Sequence, residues 1–346
     1  MNSDQEILIV GQGLAGTCLA WQLWDRGIPF RIVARGDKSG SSHIAAGMLT
    51  PVTGKAFNPS WRLEEFRLKA IRFYRAAEHV LGEQFFYTTP ILRVFADEEE
   101  RERFEGKRKE LTKWTADVVK DTGLGVRSSL GGVMWSGGGW LKTHRFLARS
   151  KGYFRERGIY SQQDVTKEDL AAMAGKTVVL CEGAAGLCED GAFNYLPKRP
   201  AKGEILTVRV SGLREDCIIS SGGWMIPRGG NLYRAGAGYE WDSCDDKPSQ
   251  KGREQVEEIV RRLTTQPFEV VDHVAGVRPI VRRSQPVIGR HRERDSVAIF
   301  NGLGSKGVLY APGVAKELAL HLSEGKTIEK ELDVSNVPAE AEVLTA

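Results

Sequence analysis

The stretch ILIVGQGLAG, residues 7–16, constrains the fold of this chain more than any other. Four apolar residues read as a buried strand, and Gly11, Gly13 and Gly16 follow at G-x-G-x-x-G spacing. TCLAWQLWDRG then reads as a helix closed by Gly27, and PFRIVA (29–34) as a second strand. Strand, glycine turn, helix and strand make a βαβ unit. Its glycines let backbone approach a pyrophosphate, and the helix start favours the negative charge. In a chain with 39 glycines among 346 residues the bare spacing arises about 0.5 times by chance, so the strand before it and the helix after it carry the dinucleotide reading.

The acid that would hold the ribose hydroxyls about 20 residues further on is missing. Ala34 and Arg35 stand there, the pattern of a site for the 2′-phosphate of NADP, with Asp37 as an alternative ribose ligand. At this point the dinucleotide is open.

A chain of this length exceeds the size at which a single core keeps growing, so one large composite or two intergrown domains are expected. Hydrophobic residues at 41% and charged residues at 27% describe an ordinary globular protein, and a net charge of +4 gives no reason to propose a polyanion partner. No apolar run reaches the roughly 18 residues of a membrane span, and MNSDQE carries acids where a signal peptide carries bases. A cytoplasmic protein without a membrane span is expected. The five cysteines, Cys18, Cys181, Cys188, Cys217 and Cys244, show no C-x-x-C, which predicts reduced, structural thiols and neither a disulfide framework nor a zinc site.

Residues 62–81 place Leu63, Phe66, Ala70, Phe73, Ala77 and Val80 on one helical face. After it come FFYTTPILRVFA (85–96), DEEERERFEGKRKEL as a solvated helical run, the Gly-rich SSLGGVMWSGGGW, and residues 143–158 as another helix. KTVVLC (176–181) is a short buried strand followed by a close turn at Gly183. From residue 204 the pattern turns antiparallel, with Gly229-Gly230-Asn231 as a hairpin turn. A helix EQVEEIVRRL, the segment EVVDHVAGVRP, the strand VAIFNG and a last helix from about Pro312 to Ser323 complete the chain.

GQGLAG, then SSHIAAGML, then AGVRP, then NGLGSKGVLYAP, four motifs in order across residues 7–312, resemble the D-amino-acid oxidase and glycine oxidase family of FAD enzymes. The resemblance selects FAD over NADP. It implies an α/β fold, with a discontinuous Rossmann-type FAD-binding domain (1–84, 140–200 and 276–346) and an intergrown antiparallel-sheet substrate domain (85–139 and 201–275). It further implies that Gly11, Gly13, Leu14, Ala15, Gly16, Arg35, Ser41, Ser42, Ala46, Gly47, Met48, Val165 and Gly183 contact the cofactor. The last motif adds Gly302, Leu303, Gly304, Ser305, Lys306 and Gly307, where a helix start and Lys306 would favour negative charge on the reduced ring.

Arg278, in AGVRP, matches the family's arginine for a substrate carboxylate, a role suited to its planar fork; the alternative is a structural arginine paired with an acid. Some related amine dehydrogenases carry flavin on a histidine immediately before AAG; here that position is Ile44 and His43 lies one place early, so the FAD is expected to be non-covalent. Glycine oxidases often carry arginine where Ser305 stands, which weakens the case for glycine itself. Tyr239, Trp241 and Trp224 are candidate pocket aromatics. The expected reaction is hydride transfer from the carbon beside nitrogen of a small amine or amino acid, with no dedicated catalytic acid, base or metal.

Two rivals stand. GKAFNP after PVT resembles FAD domains that act on a glycine-like group of transfer RNA, and the basic run RHRER (290–294) with Arg282 and Arg283 would serve it. The chain lacks the interleaved aromatic and basic residues of a single-strand groove, so no nucleic-acid partner is expected. The other rival is a non-catalytic flavin or NADP-binding protein. No signal for an oligomeric state is present.

Overall fold

The computed structural model describes residues 6–36, 40–166, 169, 176–188, 191–281 and 285–338. The strand Ile7–Val10 is buried throughout and pairs in parallel with Phe30–Ala34 on one side and Thr177–Leu180 on the other. An uninterrupted apolar run is what a parallel strand covered on both faces requires. Tyr160–Gln162 adds beyond Phe30–Ala34, and Val297–Asn301 with antiparallel Val287–Arg290 beyond Thr177–Leu180, to give six strands. Ile7 and Ile9 face the helices Leu14–Trp24 and Gly307–Glu324, whereas Leu8 and Val10 face Phe193 and Leu196. The first of these helices is apolar nearly all round because it is sandwiched between the sheet and its neighbours.

A second, nine-stranded sheet, mostly antiparallel, is organised about Ala201–Arg209, which pairs with Leu232–Gly236 on one edge and Glu269–Arg278 on the other. The hairpin between Trp224–Gly229 and Leu232–Gly236 turns at Gly229, Gly230 and Asn231, all at positive φ. Met225, Tyr233 and Ala235 pack under the helix Gln250–Leu263, which Ser249 caps by accepting from the Gly252 amide. Alternation sends Ile226 and its cross-strand partner Arg234 the other way, toward the first domain's core.

Several expectations need correction. In the helix Leu63–Leu81 the buried stripe holds Tyr74 and Leu81, while Phe73 is only half-buried and Val80 is exposed. The last helix starts at Gly307, five residues before Pro312. Proline removes the N–H that would reach the Val308 carbonyl, and the buried Tyr74 hydroxyl donates to that oxygen instead, at 3.1 Å. The acidic run forms the helix Glu98–Lys107, yet Glu100 is buried against Arg93 and the Ala96 amide.

The cysteines are also not all reduced. Cys188 and Cys244 form a disulfide, and Cys18, Cys181 and Cys217 are the free, buried ones. The two partners are 56 residues apart, a separation that carries no pairing signal in the sequence. Disulfides are rare in a reducing cytosol, so the pairing does not favour the expected compartment. Among the described residues no helix is long and apolar enough to cross a membrane.

Candidate functional site

A cavity of about 810 Å³ lies where the carboxyl ends of the parallel strands meet the second sheet, within the size range of cofactor and ligand sites. Gly11, Gly13, Leu14, Ala15, Arg35, Ser41, Ser42, Ala46, Gly47, Met48, Val165 and Gly183 line it, as do Leu303, Gly304, Ser305, Lys306, Gly307, Arg278 and Tyr239. Gly16 and Gly302 do not. They stand behind the wall, where an added Cβ would lie 2.0 Å from the Gly11 carbonyl oxygen and 2.4 Å from Val281 Cγ2, respectively.

At one end Gly11 turns the chain out of its strand at φ +102°, so close to the next strand that a Cβ would sit 2.5 Å from the Cys181 oxygen. The helix that follows has no side-chain cap at Gly13, and the Ser42 hydroxyl accepts from the Leu14 amide at 3.1 Å. A helix start open to a cavity favours an anion. Asn301, buried at the next strand end, donates to the Gly183 carbonyl at 2.8 Å and accepts from the Gly302 amide at 2.8 Å, which locks two glycine turns together. Arg35 pairs with Asp164 at 2.7 Å, so its guanidinium has a carboxylate partner within the chain. Asp37, Arg282 and Arg283 lie outside the described residues.

At the other end Arg278 closes the strand Glu269–Arg278. Its Nη1 donates to the Gly238 carbonyl at 3.1 Å and the guanidinium lies 4.0 Å from the centre of the Tyr239 ring. Gly203 passes beneath, where a Cβ would come within 2.3 Å of Nη2. Among the described residues no carboxylate pairs with Arg278, and burial pulls its pKa down. No acid-paired structural role is seen for it among the described residues. Lys306 is in a similar position: its Nζ donates to the Thr53 hydroxyl at 3.2 Å, and desolvation lowers its pKa. Unmatched cations facing one cavity suit an anionic ligand. Trp224 and Tyr239 line the cavity; Trp241 stands outside it, stacked on Tyr239 with ring centres 5.3 Å apart. His43 sits in the short helix Ser41–Ile44 and also faces the cavity. The described residues hold no cluster of three or more His, Cys, Asp or Glu side chains able to bind a metal ion.

The profile of the family described as FAD dependent oxidoreductase matches residues 6–320. The chain belongs to that family. A curated relative, the tRNA 5-methylaminomethyl-2-thiouridine biosynthesis bifunctional protein MnmC of Maricaulis maris, is 28% identical over 342 residues, which cover 94% of this chain and 53% of that protein. The chain thus spans about half the length of that relative. Among solved structures, glycine oxidase from Bacillus cereus superposes with a TM-score of 0.77 at 20% identity, covering 95% of this chain and 97% of that one. Iminodiacetate oxidase from Chelativorans sp. gives a TM-score of 0.74 at 18% identity, with 96% and 98% covered. The fold is that of these oxidases.

The chain is therefore an FAD-dependent oxidoreductase, and a non-catalytic NADP-binding role falls away. The lining of the cavity is compatible with FAD. Gly47, at φ +74°, packs so tightly that a Cβ would meet the Leu141 oxygen at 2.0 Å. The amides of Ala46 and Gly47 donate to no group among the described residues, although both residues line the cavity. Such free donors match the polar edge of an isoalloxazine, and the two helix starts match a pyrophosphate and a ring that becomes negative on reduction. Sequence reading missed Thr143, Arg228 and Arg234 near this wall. Two arginines one and three residues from a hairpin turn look like surface charges until the sheet face they share is known.

Proposed function

We propose that this oxidoreductase oxidises the C–N bond of a glycine-like group, an amine bearing a neighbouring CH₂–carboxylate, on a small amine or amino acid. The observation that carries the reading is Arg278: half-buried, held at one nitrogen by carbonyls, braced by Tyr239 and without an acid of its own among the described residues. Its Nε and Nη2 are left for a bidentate carboxylate. Segments 1–84, 140–200 and 276–346 would hold the cofactor non-covalently, and 85–139 with 201–275 would supply the substrate face. Bound FAD supplies the acceptor for the hydride leaving the carbon beside nitrogen. The chain's own task is to orient that carbon through the carboxylate, exclude bulk water and accept an amine in its neutral form; the resulting imine is hydrolysed by water. The proposal is consistent with the two oxidases that share the fold, whose names specify glycine and iminodiacetate.

A second reading keeps the chemistry and changes the carrier. The MnmC relative's name specifies transfer RNA, and its likeness covers nearly the whole of this chain, so a glycine-like group borne on a modified base is a direct competitor. The two separate in a titration. Acetate and glycolate are expected to perturb the visible flavin spectrum of the holoprotein, and transfer RNA at low salt is expected to leave it unchanged and unbound. Steeply salt-dependent transfer RNA binding would move the assignment to the second reading, and indifference to every small carboxylate would remove the first.

A further inference from the structure

The wall of the cavity at residues 44–46 is held from behind in an unusual way. Three successive carbonyls each accept from a side chain of a different element. Arg234 Nη2 donates to the Ile44 oxygen at 2.7 Å, the Thr143 hydroxyl to the Ala45 oxygen at 3.1 Å, and Arg228 Nη2 to the Ala46 oxygen at 3.0 Å. Thr143 opens the helix Thr143–Glu156 and is buried; Arg228 and Arg234 come from the two strands of the hairpin. None of the three is an exposed tether. The Arg228 guanidinium sits over Trp140, 3.8 Å from the ring centre, and its Nη1, like Arg234 Nε, is buried with no hydrogen-bond partner among the described residues. Neither arginine makes an ion pair among the described residues. Asp272 offsets part of the cost at Arg234, but two neighbouring desolvated cations without a direct carboxylate contact are still costly, so a stable fold needs a reason to hold them there.

The peptide plane supplies that reason. In a trans peptide the carbonyl of one residue and the amide of the next point in opposite directions. The only cis bond among the described residues is Gly236–Ala237. Fixing the Ala45 and Ala46 oxygens toward Thr143 and Arg228 therefore aims the Ala46 and Gly47 amides the opposite way. Those are the two cavity-lining amides that lack an acceptor. The Ile44 oxygen, held by Arg234, precedes the Ala45 amide, which closes the short helix on the Ser41 oxygen at 2.9 Å and fixes where the segment begins.

We infer that Arg228 and Thr143, with Arg234 behind them, are positioning residues that aim the Ala46 and Gly47 amides at the flavin and so stabilise its negative charge in the reduced state. Burial and the neighbouring Arg234 bring the Arg228 guanidinium down to about 9, which leaves it charged at neutral pH. Its charge reaches the ring through the Ala46–Gly47 peptide dipole, in a site shielded from water. The inference rests on FAD binding and not on the choice of substrate.

The test is the two-electron midpoint potential of the bound flavin, measured with the FAD-to-protein ratio on the same samples. Arg228→Met and Thr143→Val are each expected to shift the oxidised-to-reduced equilibrium about tenfold toward the oxidised form, about 30 mV for a two-electron couple. Arg228→Lys and Thr143→Ser, which retain a donor, should recover most of that shift. Arg209→Met, at an exposed pair with Glu269, should leave the potential where it is. Should Arg228→Met fail to fold, the Thr143 pair decides, because Thr143→Val changes one hydroxyl at nearly constant volume. Potentials equal to wild type in FAD-loaded Thr143→Val, or in FAD-loaded Arg228→Met, would overturn the inference. So would a shift that Thr143→Ser and Arg228→Lys do not recover.

Discussion

Replacing Arg278 with methionine is expected to lower kcat/KM for a glycine-like carboxylate by roughly 10²-fold, about 3 kcal/mol, chiefly through KM. The arginine is half-buried, its remaining donors have no partner among the described residues, and methionine fills the space over Tyr239 without offering a hydrogen bond. Arg278→Lys should rescue little, since one ammonium cannot reproduce a planar fork held over a ring. Steady-state kinetics on an amine substrate and on its methyl ester make the check specific. The wild type should prefer the acid strongly and the variant should prefer neither. An Arg278→Met enzyme with unchanged KM for the acid would show that the carboxylate is bound elsewhere.

The second large effect is expected at Gly11. Alanine there must adopt φ near +102° and place its Cβ 2.5 Å from the oxygen of Cys181. That residue directly follows the strand Thr177–Leu180 and its amide donates to the Val10 oxygen, so it cannot move aside without disturbing the parallel sheet. Positive φ in a non-glycine residue costs about 1–3 kcal/mol before the clash is counted. Gly11→Ala should therefore purify without flavin, with FAD affinity reduced at least about 100-fold and a lower melting temperature. Gly13→Ala separates the two contributions. Its Cβ meets only the Ser42 hydroxyl, at 3.3 Å, so it should fold normally and lose affinity alone. A yellow Gly11→Ala protein with wild-type affinity would mean that this turn does not cradle the cofactor.

The parts of the molecule legible beforehand were those with a short-range signature. The strand Ile7–Val10 and its glycine turn announce themselves because a parallel strand is apolar on both faces and the turn needs residues without side chains. The hairpin at Gly230-Asn231 is equally local. The errors came from contacts between distant segments. Pro312 looked like the start of a helix, since nothing in its neighbourhood reveals that Tyr74, more than 200 residues away, supplies the missing hydrogen bond. Cys188 and Cys244 gave no sign of pairing because their adjacency exists only in three dimensions. Arg278 was found through its motif, but the absence of a partner acid among the described residues could be seen only in the fold. Arg228, Arg234 and Thr143 belong to the same class: their role depends on which carbonyls lie opposite them.

The central claim is that a carboxylate next to the reacting C–N bond defines the substrate. Anaerobic mixing of the holoprotein with paired compounds tests it directly: sarcosine and iminodiacetate against dimethylamine and sarcosine amide, with 2-hydroxy acids as a further comparison. Loss of the flavin's visible absorption with the carboxylate-bearing amines alone is the predicted result. Equal bleaching by dimethylamine, or bleaching by the 2-hydroxy acids and not by the amines, would contradict it.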